Sequence, residues 1–173
     1  MRGTRNGGAA PRPRRPSGIP LIVIRRATEA EADQIAGIIN AAFEIEREFR
    51  QGERTSASGI RKLMERETFL VAEQGGRLVG AVEVRVSGTV GYFGMLAVDA
   101  GERRAGLGRA LVEAAEEHCR RSGCTVMTMS TGEDRTELIP YYEKMGYRVT
   151  ATERSDNPAF KRAIRIVKME KGL

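Results

Sequence analysis

Residues 102–111 read ERRAGLGRAL, and this stretch decides the fold. Arginines and glycines crowd together directly ahead of an apolar pattern of helical spacing, which runs from Leu107 through Leu111, Ala114, Ala115 and Cys119. The N-terminus of a helix presents unpaired backbone N–H groups and a partial positive charge, so it can seat an anion. Glycines at 106 and 108 let the backbone approach a phosphate with no Cβ in the way. Arg103, Arg104 and Arg109 can add charge-assisted hydrogen bonds. The plain alternative is an ordinary turn with a solvated charge cluster. Two phosphate-binding rivals fail on the residues present. A P-loop needs Gly-Lys followed by Ser or Thr, which the chain lacks. A dinucleotide fingerprint needs Gly or Ala where Leu111 stands, and it belongs early in a chain rather than after several strands.

Downstream, the helix should end near Ser122-Gly123, with Arg120 and Arg121 at its negative end. CTVMTMST (124–131) is β-branched and reads as a strand. TELIPYYEKMG (136–146) reads as a helix in which Pro140 must sit in the first turn or cause a kink, with Gly146 at its C-cap. YRVTATE (147–153) and KRAIRIVKMEK (161–171) close the chain as two strands.

Upstream, LIVIRRAT (21–28) reads as a first strand, and Thr28 stands three residues before Glu31 at capping-box spacing. The helix that follows, over 29–43, places Ile35, Ile38, Ile39 and Phe43 on one face. SGIRKLMERE (58–67) predicts a short second helix with Ile60, Leu63 and Met64 inward. TFLVAEQ, the Gly75-Gly76 turn and RLVGAVEVRVSG form a hairpin. In its second strand Val79, Ala81, Val84 and Val86 break strict alternation, and Gly80 suggests a bulge. TVGYFGMLAVD (89–99) is a further strand, with Gly94 marking a bulge or a close backbone approach. Strands interleaved with helices in the order β-α-α-β-β-β-α-β-α-β-β predict a single α/β domain with a mixed sheet.

RRAGLG fits the Arg/Gln-x-x-Gly-x-Gly/Ala loop of the GNAT superfamily of acyl-CoA N-acyltransferases as Arg103-x-x-Gly106-x-Gly108. The preceding MLAVDAGE resembles that superfamily's fourth strand and turn, and YYEKMGYR resembles its fourth-helix ending. The order of elements matches from about Leu21 to Lys171. The resemblance implies a GNAT-like fold: a mixed, mostly antiparallel sheet of about seven strands, splayed between strands 4 and 5, with about four helices. It also implies acetyl-CoA as co-substrate, its pantetheine arm pairing with the fourth strand as an added strand. Carried over by position, Leu96 and Val98 would offer backbone groups to pantetheine, and a backbone N–H near Leu96 or Ala97 would polarise the carbonyl. Backbone N–H groups of Arg103, Arg104, Ala105, Gly106, Leu107, Gly108 and Arg109 would cradle the pyrophosphate.

The implied reaction is attack by an amine of a small molecule or peptide on the acetyl thioester; the alternative is a non-catalytic CoA-binding regulatory domain of the same fold. Tyr142 matches the family's tyrosine and is the candidate general acid, the alternative being that Tyr141 and Tyr142 are core aromatics. The family's fourth-strand glutamate position is Tyr92 here, so that role does not transfer. Glu83 is the substitute base, with Glu44 and Glu48 as further candidates; for each the plain reading is a solvated surface carboxylate, and deprotonation through water is a further route. Many relatives carry Asn where this chain has Arg135, which could contact phosphate or an acidic acceptor, or be a solvated charge at a helix start. Glu44, Glu46 and Glu48 would suit a cationic acceptor and Arg47 and Arg50 an anionic one, so the acceptor stays open at this level.

The chain's formal charge is +6. Arg2, Arg5, Arg12, Arg14 and Arg15 account for most of it, in a Gly- and Pro-rich stretch without acids. Residues 1–19 therefore read as a disordered basic tail and residues 20–173 as the N-acetyltransferase domain. Nucleic acid is not expected as a partner; contact through the tail's arginines is the alternative. No apolar run approaches the roughly 20 residues of a membrane span, so no membrane partner is expected and the chain reads as cytoplasmic. Cys119, Cys124 and His118 have no second ligand pair and predict no metal site. Edge strands at the C-terminus leave homodimerisation open.

Overall fold

The structure is a computed structural model that describes residues 21–102 and 106–173. The basic tail, and Arg103, Arg104 and Ala105 of the glycine-arginine turn, lie outside the described residues. Seven strands, β1 (Ile22–Arg26), β2 (Thr68–Gln74), β3 (Arg77–Ser87), β4 (Val90–Val98), β5 (Val126–Gly132), β6 (Arg148–Ser155) and β7 (Ile164–Gly172), form one sheet in the order β1-β2-β3-β4-β5-β7-β6. Four α-helices, α1 (Ala32–Ala42), α2 (Ala57–Met64), α3 (Leu107–Arg121) and α4 (Leu138–Glu143), complete the predicted order. Among the described residues no helix is long and apolar enough to cross a membrane.

Local signals explain most boundaries. The Thr28 N–H donates to Glu31 at 2.8 Å, closing the expected capping contact ahead of α1. Glu31 also accepts from Arg25 at 2.6 Å, which ties the helix entry to β1 and lowers its carboxyl to about 2. Gly75 and Gly76 both have positive φ (59° and 80°), as a tight hairpin turn demands. Pro140 falls within the first turn of α4, where a missing N–H costs nothing.

The sheet buries both faces. On one side α3 packs with Tyr142, Met145 and Tyr147 over Val79, Val82, Phe93, Met127 and Met169. On the other, Ile35, Ile39 and Ile60 of α1 and α2 cover Phe69, Val71 and Ala81. With both faces covered, β3 reads as a nearly continuous apolar run. A register shift falls where Ala72 pairs with Gly80 but Glu73 with Leu78, and this bulge is what breaks its alternation. Gly80 also has no room for a side chain: a Cβ there would lie 2.9 Å from Leu111 Cδ1.

The feature that positions the site is in β4. Ala81 pairs with Ala97, but Glu83 pairs with Gly94, so β4 carries one extra residue at this point. Met95 there adopts φ 48°, a left-handed conformation that a non-glycine residue rarely takes. β4 runs parallel to β5 only through Val90↔Val126, Gly91↔Met127 and Tyr92↔Thr128. Beyond Tyr92 the two strands part. The opposite flank of β5 stays paired with β7 along its whole length, from Val126 to Gly132.

Candidate active site

The parting of β4 and β5 opens a cavity of about 1050 Å³. Its walls come from β4 (Tyr92 to Leu96, and Val98), the end of β5 (Met129 to Gly132), the first turn of α3 (Gly106, Gly108, Arg109) and α4 (Leu138, Tyr141, Tyr142). Arg135 and Glu137 line it between β5 and α4. A second wall is built from the segment that follows α1, including Phe43, Glu44, Phe49, Arg50 and Arg54, and from Asn157 and Phe160 between β6 and β7.

Of the residues singled out in the sequence, Tyr142, Leu96, Val98, Gly106, Gly108, Arg109 and Arg135 meet at this cavity. Ala97 and Leu107 are buried, each 2% exposed, and do not line it with their side chains. Gly106 caps α3 with φ 72°, a conformation glycine adopts without strain. Gly108 is a place where backbone must stay bare, since a Cβ would come within 3.2 Å of the Tyr141 hydroxyl.

Tyr142 is both core and cavity wall, so the two readings of the Tyr141-Tyr142 pair merge. Its ring packs against Phe93 at 5.7 Å, Tyr141 at 5.1 Å and Tyr147 at 6.0 Å. Burial raises its phenol above the ordinary value, so it remains a hydrogen-bond donor across neutral pH. Arg135 is not a solvated charge: its side chain is 19% exposed and its Nε donates to Glu137 at 2.7 Å.

Glu83 departs from the plain reading of a solvated carboxylate. It is 5% exposed, because it stands on the doubly covered β3. Its carboxyl is pushed up to about 8, first by burial and then by hydrogen-bond contact with Glu67. The Arg85 Nε lies 3.3 Å from Glu83 and 3.9 Å from Glu67, bridging the pair, while its guanidinium stacks 4.0 Å from the centre of the Tyr92 ring. A Cβ at Gly94 would lie 2.8 Å from Tyr92 Cε1 and 3.0 Å from Glu83 Oε2. Gly94, which lines the cavity, thus leaves room for this carboxyl beside the Tyr92 ring, but Glu83 itself is not among the residues that wall the cavity. Glu44 and Glu48 are exposed, and Glu44 pairs with Arg47 at 3.0 Å.

Sequence reasoning missed Glu67, which precedes β2 and carries no motif. It also missed the wall formed by Arg54, Asn157 and Phe160, which only the tertiary fold brings to the cavity. The two thiols are not available for chemistry. Cys119 is fully buried and burial pushes its thiol up to about 12, so it is not a thiolate at neutral pH.

Known proteins resemble this chain in sequence or in fold. The uncharacterized protein YdhI of Bacillus subtilis is 25% identical over 95 residues, covering 55% of this chain and 58% of its own length. An acetyltransferase of Yersinia pestis is 34% identical over 86 residues, covering 50% of this chain and 61% of its own length. The chain therefore spans about 60% of the length of these curated relatives. The ribosomal-protein-alanine N-acetyltransferase of Brucella melitensis superposes with a TM-score of 0.73 at 22% identity, over 87% of this chain and 99% of that one. The yncA protein of Salmonella typhimurium, solved with its cofactor acetyl-CoA, superposes with a TM-score of 0.71 at 21% identity, over 88% and 94% of the two chains. At these identities the structural likeness speaks for the fold. The profile of the Acetyltransferase (GNAT) family matches residues 33–147, from α1 through the helix-ending motif after α4, and the chain belongs to that family.

Proposed function

We propose that residues 20–173 form an acetyl-CoA-dependent N-acetyltransferase domain that acetylates a primary amine. The observation that carries this reading is the parting of β4 from β5 over a cavity walled by Tyr142 and the first turn of α3. The residues present fit the cofactor. The exposed flank of β4 beyond Tyr92 has backbone groups to offer a pantetheine arm, at Leu96 and Val98. The N-terminus of α3, bare of side chains at Gly106 and Gly108, suits a pyrophosphate, and Arg109 and Arg135 stand at the same cavity.

Bound acetyl-CoA supplies an acetyl group activated as a thioester. The chain's own residues then have three tasks. The acceptor amine must shed a proton, since alkyl ammonium groups hold theirs to about pH 10. Glu83, with its carboxyl raised to about 8, is poised to take it at mildly alkaline pH. The backbone N–H of the bulged segment at Leu96 or Ala97 stabilises the oxyanion. The Tyr142 hydroxyl, held protonated by burial, donates to the departing sulfur.

Thermal unfolding with and without acetyl-CoA tests the reading. A ligand bound to the folded state at about 100 times its dissociation constant adds roughly 2.7 kcal/mol, a midpoint rise of about 5–10 °C for this size. Gly108→Asp should abolish the rise, because it puts a carboxylate at the cradle and a Cβ against Tyr141. Tyr142→Phe should keep the rise and lower kcat by about 10²- to 10⁴-fold. The absence of any midpoint shift at millimolar acetyl-CoA would end the transferase reading.

A further inference from the structure

The acceptor is left open by the sequence because acids and arginines alternate between residues 44 and 54. The structure resolves that mixture by pairing most of it off. Arg47 and Glu44 pair with each other on the surface. Arg54 pairs with Glu46 at 3.2 Å. Arg50 is left over. Four arginines are partly buried among the described residues, Arg25, Arg50, Arg54 and Arg135. Arg25, Arg54 and Arg135 each have a carboxylate partner, and Arg50 has none among the described residues.

Arg50 is also firmly built into the cavity wall. It forms an isolated bridge with Phe160, and the flanking backbone is clamped by Gln51 N–H to Ala159 O and Lys161 N–H to Phe49 O, both at 2.8 Å. Its guanidinium stacks 5.3 Å from the centre of the Phe160 ring, and that of Arg54 stacks 4.9 Å from Phe43. Both arginines keep a buried Nε with no hydrogen-bond partner among the described residues. A buried donor left unmet carries a desolvation penalty that an anionic acceptor group would relieve. Glu46 is taken by Arg54, so Arg50 stands in the cavity wall with no acid paired to it among the described residues. Burial and the neighbouring Arg54 both work against the charge on Arg50, and an anion would restore the balance.

We propose that Arg50, backed by Arg54, binds a carboxylate on the acceptor, so that the substrate class is a small amine bearing a carboxylate, as in an amino acid. The planar guanidinium fork matches a carboxylate in a way a point charge does not. The placement agrees with the chemistry proposed for the site, on which this inference rests. Arg54 lies near enough to Glu83 to favour its ionised form. The cavity therefore presents a cation for the carboxylate, with the buried Glu83 carboxyl next to its Gly94 wall.

The test uses the full chain, acetyl-CoA and matched acceptors: each proteinogenic amino acid, its carboxamide and its decarboxylated amine. The wild type should acetylate one or more of the acids with kcat/KM about 10- to 100-fold above the matched amide. Arg50→Gln should lower kcat/KM on the acid far more than on the amide, removing that preference, and keep the acetyl-CoA midpoint rise. Arg50→Lys should recover only part of it. The retained midpoint shift shows that the variant is folded. Equal rates on acid and amide in the wild type, an equal loss on both in Arg50→Gln, or no acetylation of any acid would overturn the proposal. Failure of acetyl-CoA to stabilise even the wild type would instead strike the transferase reading beneath it.

Discussion

Replacing Glu83 by Gln isolates what the buried carboxyl does to stability and to rate. In the folded protein this group is raised to about 8, against 4.5 for an ordinary glutamate. Between those values the folded chain holds a proton that the unfolded chain releases. Stability from this group is complete below about pH 4.5 and is lost as pH rises through about 8. At roughly 1.4 kcal/mol per pH unit, the loss is on the order of 3–5 kcal/mol. Gln fills the same space, can still hydrogen-bond to Glu67 and does not titrate, so the variant should be spared this loss. Thermal midpoints measured from pH 5 to pH 9 should fall more steeply for the wild type, with the two curves diverging by on the order of 10 °C. The same pair of proteins, assayed for acetyl transfer, separates structure from catalysis. If Glu83 takes the amine's proton, the rising limb of kcat/KM near pH 8 is present in the wild type and absent in Glu83→Gln. Parallel stability curves would refute the buried, proton-holding carboxyl itself. Diverging stability curves with unchanged pH–rate profiles would leave Glu83 a structural group and return proton removal to water.

Two further substitutions probe the framework around the site. Gly94→Ala places a Cβ 2.8 Å from the Tyr92 ring and 3.0 Å from the Glu83 carboxyl, and overpacking of this kind costs about 1–3 kcal/mol. Denaturant titration should show that loss, and kcat should fall by more than the residual folded fraction accounts for. Lys171→Met acts far from the chemistry. Glu116 is buried and accepts from the Tyr147 hydroxyl at 2.7 Å, from Lys171 Nζ at 2.9 Å and from Arg120 Nη2 at 3.4 Å; leaving a buried carboxylate unpaired costs about 3–5 kcal/mol, and with Arg120 still in place the loss falls short of that. Its unfolding midpoint should drop accordingly while the acetyl-CoA stabilisation of the folded protein persists.

Much of the fold was legible because its signals are local. The Thr28-Glu31 spacing, the Gly75-Gly76 turn, the apolar spacing from Leu107 and the position of Pro140 each need only a few consecutive residues. Gly80 and Gly94 pointed to bulges for the same reason: a glycine inside an apolar strand weakens it, and it sits there chiefly where the strand bulges or another group approaches the backbone. The site was legible in part. Tyr142 and the bare turn at Gly106 and Gly108 came through a recognisable motif, and both line the cavity. Glu83 was named on its strand, but its burial was not visible. That burial depends on β3 being covered on both faces and on Glu67 arriving from the start of β2. The wall at Arg50 was least legible. Its meaning depends on which neighbouring acids are already taken, and pairs such as Arg54 with Glu46 or Arg47 with Glu44 exist only once the segment after α1 has coiled back on itself.

The charges around the cavity are coupled, and the coupling has a direction. Arg54 favours the ionised form of Glu83 and disfavours the charge on Arg50. A single guanidinium thus speaks to both the buried Glu83 carboxyl and the cation in the wall. Once a carboxylate settles against Arg50 and Arg54, it offsets the positive charge that favours ionised Glu83, so the Glu83 carboxyl holds a proton more tightly. It becomes a stronger base when an acceptor of the proposed class is in place, and an amine without a carboxylate brings no such change. Discrimination then operates on the proton transfer as well as on binding. That is where a site gains rate as well as affinity, because the interaction strengthens as the amine gives up its proton. The bulge of β4 makes the coupling feasible in so small a space: by pairing Gly94 with Glu83 it sets a residue without a side chain beside the carboxyl at the cavity wall.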